Sequence, residues 1–166
     1  MEYWDIYDRN KQPTGRTMRR NDWNMKDGDF HLTVLGVVRR SDGRFLITQR
    51  VMTKAWAPGW WEVPGGGVRS GETSKEAVIR EVKEETGLDV SGCRIELAFT
   101  YMRENPEEKD NYFVDVYRIE MDYDDREVRL QTEEALAFSS ATHEEIRQIA
   151  GEGRFLHYDS IKPIFE

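Results

Sequence analysis

The sequence predicts an α/β fold, specifically an α/β/α sandwich with a mixed sheet, extended at its amino terminus by a β-hairpin. Several apolar, β-branched runs are bounded by turn residues, and one well-marked helix is predicted over residues 74–86, with a second over residues 143–150. The 166 residues, 38% of them hydrophobic, correspond to one domain with an adequate core. A second full domain is therefore not expected.

The first 29 residues are predicted to form the hairpin and a connecting loop. Aromatic and β-branched residues at 3–7 predict a strand, and Pro13 and Gly15 predict that the chain reverses over residues 10–15. Residues 16–29 are predicted to be a loop that crosses to the main sheet. Trp23 in this loop is predicted to be a core residue, with a place in a substrate-binding wall as the alternative. The chain is thus divided into residues 1–29 and a compact domain over residues 30–166.

Four apolar runs are predicted to be strands of the main sheet: residues 31–39, 44–50, 94–103 and 112–121. Gly36 within the first of these predicts a bulge or a close contact with a neighbouring element. The polar loop 104–111 is expected to be disordered or to act as a lid. The tail 155–165 is apolar enough to pack back onto the domain.

The helix over residues 74–86 has a clear start and a clear stop. Thr73 and Glu76 stand in the S/T-x-x-E relation of a capping box, and Gly87 follows the periodic segment at the position where helices commonly end. At 3.6 residues per turn, Val78 and Val82 form an apolar stripe that must face a core. The carboxylates described next lie at the edge of that stripe.

Glu81, Glu84 and Glu85 fall on one side of this helix. Glu84 has Arg80 four residues before it, so its charge has a partner, but Glu81 and Glu85 have no basic residue one turn away and oppose each other. Solvation at the surface is one explanation. A divalent ion held by closely spaced carboxylates is another, and a lysine or arginine from elsewhere in the fold is a third.

Residues 66–88, GGVRSGETSKEAVIREVKEETGL, resemble the Nudix box, G-x5-E-x7-R-E-U-x-E-E-x-G-U with U aliphatic. The match holds at every fixed position, namely Gly66, Glu72, Arg80, Glu81, Val82, Glu84, Glu85, Gly87 and Leu88. The preceding GWWEVPGG fits the pattern G-x-W-x-x-P-G-G that usually precedes the box. More weakly, WDIYD and PTG in the hairpin are similar to the leader of Nudix proteins related to isopentenyl-diphosphate isomerase.

This resemblance implies a Nudix fold and metal-dependent hydrolysis of a nucleoside diphosphate linked to another moiety. It implies that Glu81, Glu84 and Glu85 bind Mg²⁺ or Mn²⁺, together with a backbone carbonyl of Gly66 or Gly67. Cleavage of a P–O–P linkage requires charge neutralisation on the phosphates and an oriented water. Glu81 is then either a ligand or the general base, and Glu84 is a further catalytic residue.

Other residues are expected to complete the site. By the same resemblance, Arg80 would orient Glu81, with Glu72 as its other partner. A further acid from a later loop often completes such sites, and Glu133 and Glu134 are the candidates.

Three residues before the box are candidates for contacts with substrate. Arg50 and Lys54 flank the loop that leads into a cluster of tryptophans, and cationic side chains near a phosphate-handling segment are plausible anion contacts. Trp56 is a candidate for stacking on a base or another flat group. Solvent exposure of the two basic residues is the alternative.

Two other functions were weighed against hydrolysis. Isopentenyl-diphosphate isomerase uses a cysteine ahead of its box-like segment, whereas the one cysteine of this chain, Cys93, follows the helix. A non-catalytic nucleotide-binding module on the same fold is the second alternative, and the intact box speaks against it. The hydrolase is therefore preferred.

The net charge of −8 disfavours nucleic acid polymers and anionic membranes as partners, and leaves a small-molecule diphosphate as the expected substrate. A single cysteine permits no internal disulfide, and no run of about eighteen apolar residues occurs, which together favour a cytoplasmic protein. Because dimers are common in the Nudix family, a homodimer is also expected. The substrate within the diphosphate class is left open.

Overall fold

The strands and helices that the sequence predicts are present, some with shifted ends, and the structure adds further strands and a short third helix. The computed structural model describes residues 2–166. The strands are β1 Tyr3–Tyr7, β2 Pro13–Arg19, β3 His31–Arg39, β4 Phe45–Arg50, β5 Trp61–Glu62, β6 Gly65–Gly67, β7 Arg94–Arg103, β8 Tyr112–Glu120 and β9 Ala135–Ala141. The helices are α1 Ser74–Thr86, α2 His143–Gly151 and α3 Tyr158–Ile161, with 3-10 turns at Asp125–Glu127 and Lys162–Phe165.

The main sheet is mixed, and its central strands bring the two halves of the chain together. Its order is β5-β4-β3-β8-β7, with β6 paired to β3 and β9 paired to β4. Strands β3 and β8 run parallel along their whole length, whereas the other pairs are antiparallel. This arrangement places the short glycine strand β6 beside the middle of β3, directly before α1.

Helices cover both faces of the sheet, which confirms the predicted α/β/α sandwich. Helix α1 buries Val78 and Val82 in one hydrophobic cluster, against β3 and β8. On the opposite face, Ile146 of α2 and Ile161 of α3 enter a second cluster with the apolar tail. Burial of Val78 and Val82 is the main force that fixes α1 on the sheet, each contributing roughly 1.5–3 kcal/mol.

Gly36 of β3 explains how closely α1 approaches the sheet. A β-carbon at this position would lie 2.8 Å from Val82 Cγ2 and 2.9 Å from Val78 Cγ2, closer than side chains pack. Of the two predicted roles for this glycine, close packing is the one observed. At the helix ends, the Thr73 hydroxyl accepts a hydrogen bond from the Glu76 amide, and Gly87 ends the helix in the left-handed conformation.

The amino-terminal hairpin reverses earlier than predicted. Its turn covers residues 8–12, where the Asp8 carboxylate accepts hydrogen bonds from the Asn10 and Gln12 amides, and Lys11 adopts a left-handed φ of 60°. Pro13 therefore begins the second strand instead of lying in the turn, and residues 16–19 are strand instead of loop. The chain reverses through an Asx-type turn at Asp8, because the aspartate side chain accepts hydrogen bonds from nearby backbone amides.

Lys11 also anchors the hairpin to the main domain. Its ammonium donates to Oδ1 of Asp115 at 2.8 Å, and this carboxylate on β8 is only 1% exposed. Ser74, at the start of α1, and Thr100 donate to the same carboxylate, each at 2.6 Å. The proposed boundary between residues 1–29 and 30–166 stays a prediction, and Met1 lies outside the described residues.

Smaller differences occur later in the chain. Strand β8 ends at Glu120, one residue before the predicted end, and α2 includes Gly151 instead of stopping before it. The tail packs on the sheet as predicted, with Phe165 buried. No helix within residues 2–166 is both long and apolar enough to cross a membrane.

Candidate active site

Arg80 is the centre of an ion-pair cluster on α1. It donates two hydrogen bonds, of 2.7 and 2.9 Å, to the Glu72 carboxylate. It also donates to Oε1 of Glu81 at 2.8 Å and lies 3.4 Å from Glu84. A further hydrogen bond of 3.1 Å reaches the carbonyl of Gly67. The guanidinium fork thus fixes the orientation of Glu81 relative to the glycine strand.

The charges in this cluster shift one another's proton affinity. Burial is the largest single effect on Glu72 and acts to raise its pKa, but the hydrogen bonds from Arg80 and from the Arg69 amide, together with the charges of both arginines, hold that pKa below its ordinary value. Burial raises the pKa of Glu81 despite its contact with Arg80. The hydrogen bond to Glu72 is the largest cause of a raised pKa at Arg80, so this arginine stays charged.

Glu85 lies one turn further along α1 and has no cation beside it. Its one hydrogen bond comes from the backbone amide of Gly65, at 3.1 Å, and none of the ion pairs among residues 2–166 includes it. Burial, followed by the charges of Glu81 and Glu62, raises the pKa of Glu85 well above its ordinary value. The sequence predicted this crowding of acids from the i, i+4 spacing.

These acids line one pocket of about 330 Å³ between α1, the glycine strand and β4, which we call the acidic pocket. Its acidic lining comprises Glu2, Glu62, Glu81, Glu84, Glu85 and Glu134. Gly66 forms part of the wall so close to Glu81 that a β-carbon there would lie 2.4 Å from Glu81 Oε1. A larger residue than glycine would therefore displace that carboxylate.

The donor set of the acidic pocket fits a hard divalent cation. Carboxylates are the ligands that Mg²⁺ and Mn²⁺ prefer, and Glu85 is a poorly compensated carboxylate that a cation would stabilise. In residues 2–166, no three acidic, histidine or cysteine side chains already converge on one point to hold a metal. Arg80 holds Glu81 and Glu84 to one side, so these side chains would turn on binding.

The predicted carbonyl donor is Gly66 or Gly67. The carbonyl of Gly67 accepts a hydrogen bond from Arg80, so it already has a partner. Gly66 lines the acidic pocket, but it is paired with Val34 in the antiparallel ladder between β6 and β3, so the choice between the two carbonyls stays a prediction.

The predicted basic residues reach the same pocket but are already paired. Arg50 forms a 3.2 Å ion pair with Glu62, and Lys54 forms a close ion pair with Glu134. Both cations line the pocket, where they are positioned to meet an anionic substrate. Of the two candidate downstream acids, the structure places Glu134 in the lining and leaves Glu133 outside it.

Glu2 of the acidic lining was not predicted from the sequence, and two further charged residues of the pocket, Glu62 and Arg20, were missed as well. Glu62 lies on β5 and Arg20 follows β2, so neither belongs to α1. Burial raises the pKa of Glu62, against the opposing effect of Arg50. Neither residue belongs to a periodic pattern, so only the strand pairing and the hairpin geometry reveal them.

A second cavity of about 510 Å³ adjoins the first, and we call it the aromatic cavity. Its ring-bearing residues are Trp4, Trp23, His31, Trp56, Tyr101, Tyr112 and His157. Arg20 lines both cavities, and Arg50 of the acidic pocket stacks 5.2 Å from the ring centre of Trp56. The two cavities therefore meet at arginine side chains.

Trp23 does not lie in the core, and that prediction was wrong. It is 52% exposed and forms part of the wall of the aromatic cavity, and the alternative role in binding substrate stays a prediction. Trp56, predicted as a stacking residue, is 59% exposed at the same cavity and does not line the acidic pocket. The loop 104–111 lies at the rim through Asn105, Glu108 and Asp110, and its motion stays a prediction.

Comparison with known proteins points to a single family. The model of the NUDIX domain matches residues 29–159. A Nudix hydrolase of Listeria innocua is 30% identical over 167 aligned positions, which cover 100% of this chain and 95% of that protein. Over a shorter stretch, an 8-oxo-dGTP diphosphatase of Proteus vulgaris is 38% identical across 36% of this chain and 53% of its own length.

Solved structures show the same fold. The crystal structure of a Deinococcus radiodurans protein superposes with a TM-score of 0.77 at 21% identity, covering 98% of this chain and 97% of its own. At this identity the likeness concerns the fold alone. Because nearly the whole of both chains superposes, the amino-terminal hairpin is included in the shared architecture.

Proposed function

The chain belongs to the Nudix family and is a hydrolase of pyrophosphate bonds, and we propose that it cleaves the diphosphate of a nucleoside diphosphate linked to another moiety, with Mg²⁺ or Mn²⁺ as cofactor. The observation that carries this proposal is Glu85, a carboxylate without a cation, crowded by Glu81 and Glu62 in a pocket walled by a glycine strand. The diphosphatase activity named for the Proteus vulgaris relative supports a nucleotide substrate.

In this proposal the residues of α1 divide the work. Glu81, Glu84 and Glu85 hold the cation, with Gly66 as the carbonyl donor. When bound there, the cation would neutralise negative charge on the phosphate oxygens. Arg80 fixes Glu81, which serves either as ligand or as the base that removes a proton from the attacking water.

The cations on the opposite side of the pocket would contact the substrate. Arg50 and Lys54 exchange part of their pairing with Glu62 and Glu134 for phosphate oxygens. This exchange lowers the cost of bringing a polyanion into an acidic pocket. We further propose a cytoplasmic location, supported by the single cysteine; a homodimer stays a prediction.

The test is release of phosphate, pyrophosphate or nucleotide from a panel of nucleoside di- and triphosphates, nucleotide sugars and dinucleotides, with and without Mg²⁺ or Mn²⁺. Wild type is compared with Glu85→Gln and with Glu76→Gln, an exposed acid on the same helix that lies outside the pocket. We expect metal-dependent turnover that Glu85→Gln lowers more than about 100-fold, since removing even a ligand's partner costs 10- to 100-fold. Full activity in Glu85→Gln, or turnover without metal, would contradict the proposal.

A further inference from the structure

The amino-terminal segment lies outside the part of the chain that matches the NUDIX domain, which begins at residue 29. Even so, this segment supplies Trp4, Arg20 and Trp23 to the wall of the aromatic cavity. Trp56, from the loop after β4, lines the same cavity. The wall of this cavity is therefore built in part from residues outside the part of the chain that matches the domain.

Trp4 and His31 form the inner wall as a stacked pair. Their ring centres are 3.8 Å apart with the planes 5° from parallel. Among the described residues, two buried side-chain nitrogens have no hydrogen-bond partner, and they are Nε1 of Trp4 and Nδ1 of His31. Buried polar atoms are nearly always paired, so two exceptions on one cavity wall require an explanation.

The hydrogen-bonding character of the two atoms is defined by their surroundings. The indole nitrogen of Trp4 is a donor only. His31 Nε2 lies 2.9 Å from the Asp110 carboxylate, which accepts a hydrogen, so Nδ1 is the acceptor in the tautomer that carries its hydrogen on Nε2. The inner wall therefore contains one donor and one acceptor that the chain itself leaves unused, and both atoms are buried.

The outer wall is apt for stacking. Trp23 and Trp56 expose more than half of their surface at the mouth of the cavity, at 52% and 59%. Exposed tryptophans that border a cavity next to a polar wall are typical of sites that hold a flat ligand. The volume of about 510 Å³ is in the range of small-molecule sites.

Arg20 connects this cavity to the acidic pocket. It lines both cavities, and its ion pair with Glu2, at 2.6 Å, leaves its side chain 49% exposed. A substrate with its diphosphate among the carboxylates of α1 would place the neighbouring group past Arg20. That group would then enter the aromatic cavity.

We propose that the amino-terminal segment is the specificity element of the enzyme: Trp4 and Trp23, with His31, hold a planar heterocycle that carries both a hydrogen-bond donor and an acceptor, and Arg20 holds the adjoining phosphate. Nucleobases belong to this ligand class, whereas sugars, polyols and prenyl groups do not. The two unpaired nitrogens are covered in the free chain, so ligand binding includes a small opening of the inner wall. This inference rests on the proposed function only for the identity of the diphosphate.

The first experiment measures binding without hydrolysis. Saturation-transfer NMR on the metal-free wild type compares the nucleoside monophosphates with ribose 5-phosphate, which has the phosphate and sugar but no heterocycle. We expect at least one nucleoside monophosphate to bind at least tenfold more tightly than ribose 5-phosphate. Equal affinities would overturn the inference and would leave the proposed hydrolysis standing.

The second experiment tests which side chains contribute to nucleotide binding. Trp23→Ala is expected to weaken nucleotide binding by about 5- to 100-fold, the range for loss of base stacking, with Trp23→Phe in between. Trp4→Phe keeps the stacked ring but removes its donor, and is expected to weaken nucleotides while sparing ribose 5-phosphate. Leu97→Ala, an equally exposed apolar residue on β7 outside both cavities, is the control.

Arg20→Ala is tested against its neighbour Arg19→Ala, which has the same charge and lines neither cavity. We expect Arg20→Ala to raise KM for the nucleotide substrate more than it lowers kcat, and Arg19→Ala to match wild type. Effects of Trp23→Ala, Trp4→Phe and Arg20→Ala no larger than those of their controls would overturn the inference. Wild type that binds nucleoside monophosphates but releases no product would instead overturn the proposed function alone.

Discussion

The acidic pocket and the aromatic cavity meet at Arg20, and each leaves different groups without a partner. The acidic pocket lacks positive charge, and the aromatic cavity lacks hydrogen-bond partners. In the acidic pocket, carboxylates outnumber the cations, and Glu85 has no counter-charge. In the aromatic cavity seven ring-bearing side chains line the wall, and two ring nitrogens have no hydrogen-bond partner. Each region is thus incomplete in the free chain, and a cation with a diphosphate-linked heterocycle would complete both. The predictions that follow separate the two regions.

The largest effect is expected from Arg80→Ala. Loss of this guanidinium leaves the partly buried Glu72 and Glu81 without a cation, which we expect to lower the free energy of unfolding by about 3 kcal/mol at neutral pH. Activity should also fall, because Glu81 loses the hydrogen bond that holds it in position. Urea denaturation measures the loss, which should shrink at acid pH as both carboxylates are protonated.

The control for this variant is Arg94→Ala, which breaks the exposed pair with Glu96 on β7. Exposed pairs contribute about 0–1 kcal/mol, so the control should stay close to wild type. Equal losses in Arg80→Ala and Arg94→Ala would show that the cluster on α1 is an ordinary surface network.

Gly66→Ala should separate activity from stability. The added methyl group meets the Glu81 carboxylate, the end of a flexible side chain, so the fold can adapt while the carboxylate moves. We expect kcat to fall by about 10- to 100-fold, as for other displaced groups around metal ligands. Gly92→Ala, where the methyl group meets nothing within 4 Å, is the matched control. An unchanged kcat in Gly66→Ala would show that the position of Glu81 does not matter for catalysis.

Metal binding should depend on pH through the acidic pocket alone. Because the pKa of Glu85 is raised in the metal-free fold, the carboxyl keeps its proton above the usual range and must lose it to bind a cation. Mn²⁺ affinity is therefore expected to fall by about tenfold per pH unit as the pH drops below that raised pKa. Calorimetry in buffers of different ionisation enthalpy reports the proton released.

The same shift sets the sign of the stability change. With a folded pKa above the unfolded value, Glu85 favours folding of the metal-free chain most below the ordinary glutamate pKa, and this contribution is lost as pH rises through the folded pKa. Glu85→Gln should therefore stabilise the metal-free protein at neutral pH, by about 1 kcal/mol. A destabilised Glu85→Gln would show that the carboxylate has a favourable partner.

A change confined to the side of the aromatic cavity is expected from Lys11→Ala. This variant removes one of three donors to the buried Asp115 and loosens the hairpin that carries Trp4. A stability loss of about 1–2 kcal/mol is expected, with weaker nucleotide binding and unchanged Mn²⁺ affinity. If the affinities for nucleotide and for Mn²⁺ fell together, the two regions would not be independent.

The two regions also differ in how far the sequence revealed them. Helix periodicity placed Glu81, Glu84 and Glu85 together because one regular element carries all three. The aromatic cavity gathers side chains from the hairpin, the sheet, two loops and the tail, and no periodicity relates such segments. Trp23 was assigned to the core since an apolar ring is usually buried, and only the path of the hairpin shows otherwise.

The most direct test of the metal site is a titration of Mn²⁺ followed by electron paramagnetic resonance, in wild type, Glu85→Gln and Glu76→Gln. We expect wild type and Glu76→Gln to bind Mn²⁺ alike, and Glu85→Gln to bind it at least tenfold more weakly with its fold intact. Equal binding by Glu85→Gln and wild type, or no binding by wild type, would contradict the claim that the carboxylates of α1 form the metal site of this hydrolase.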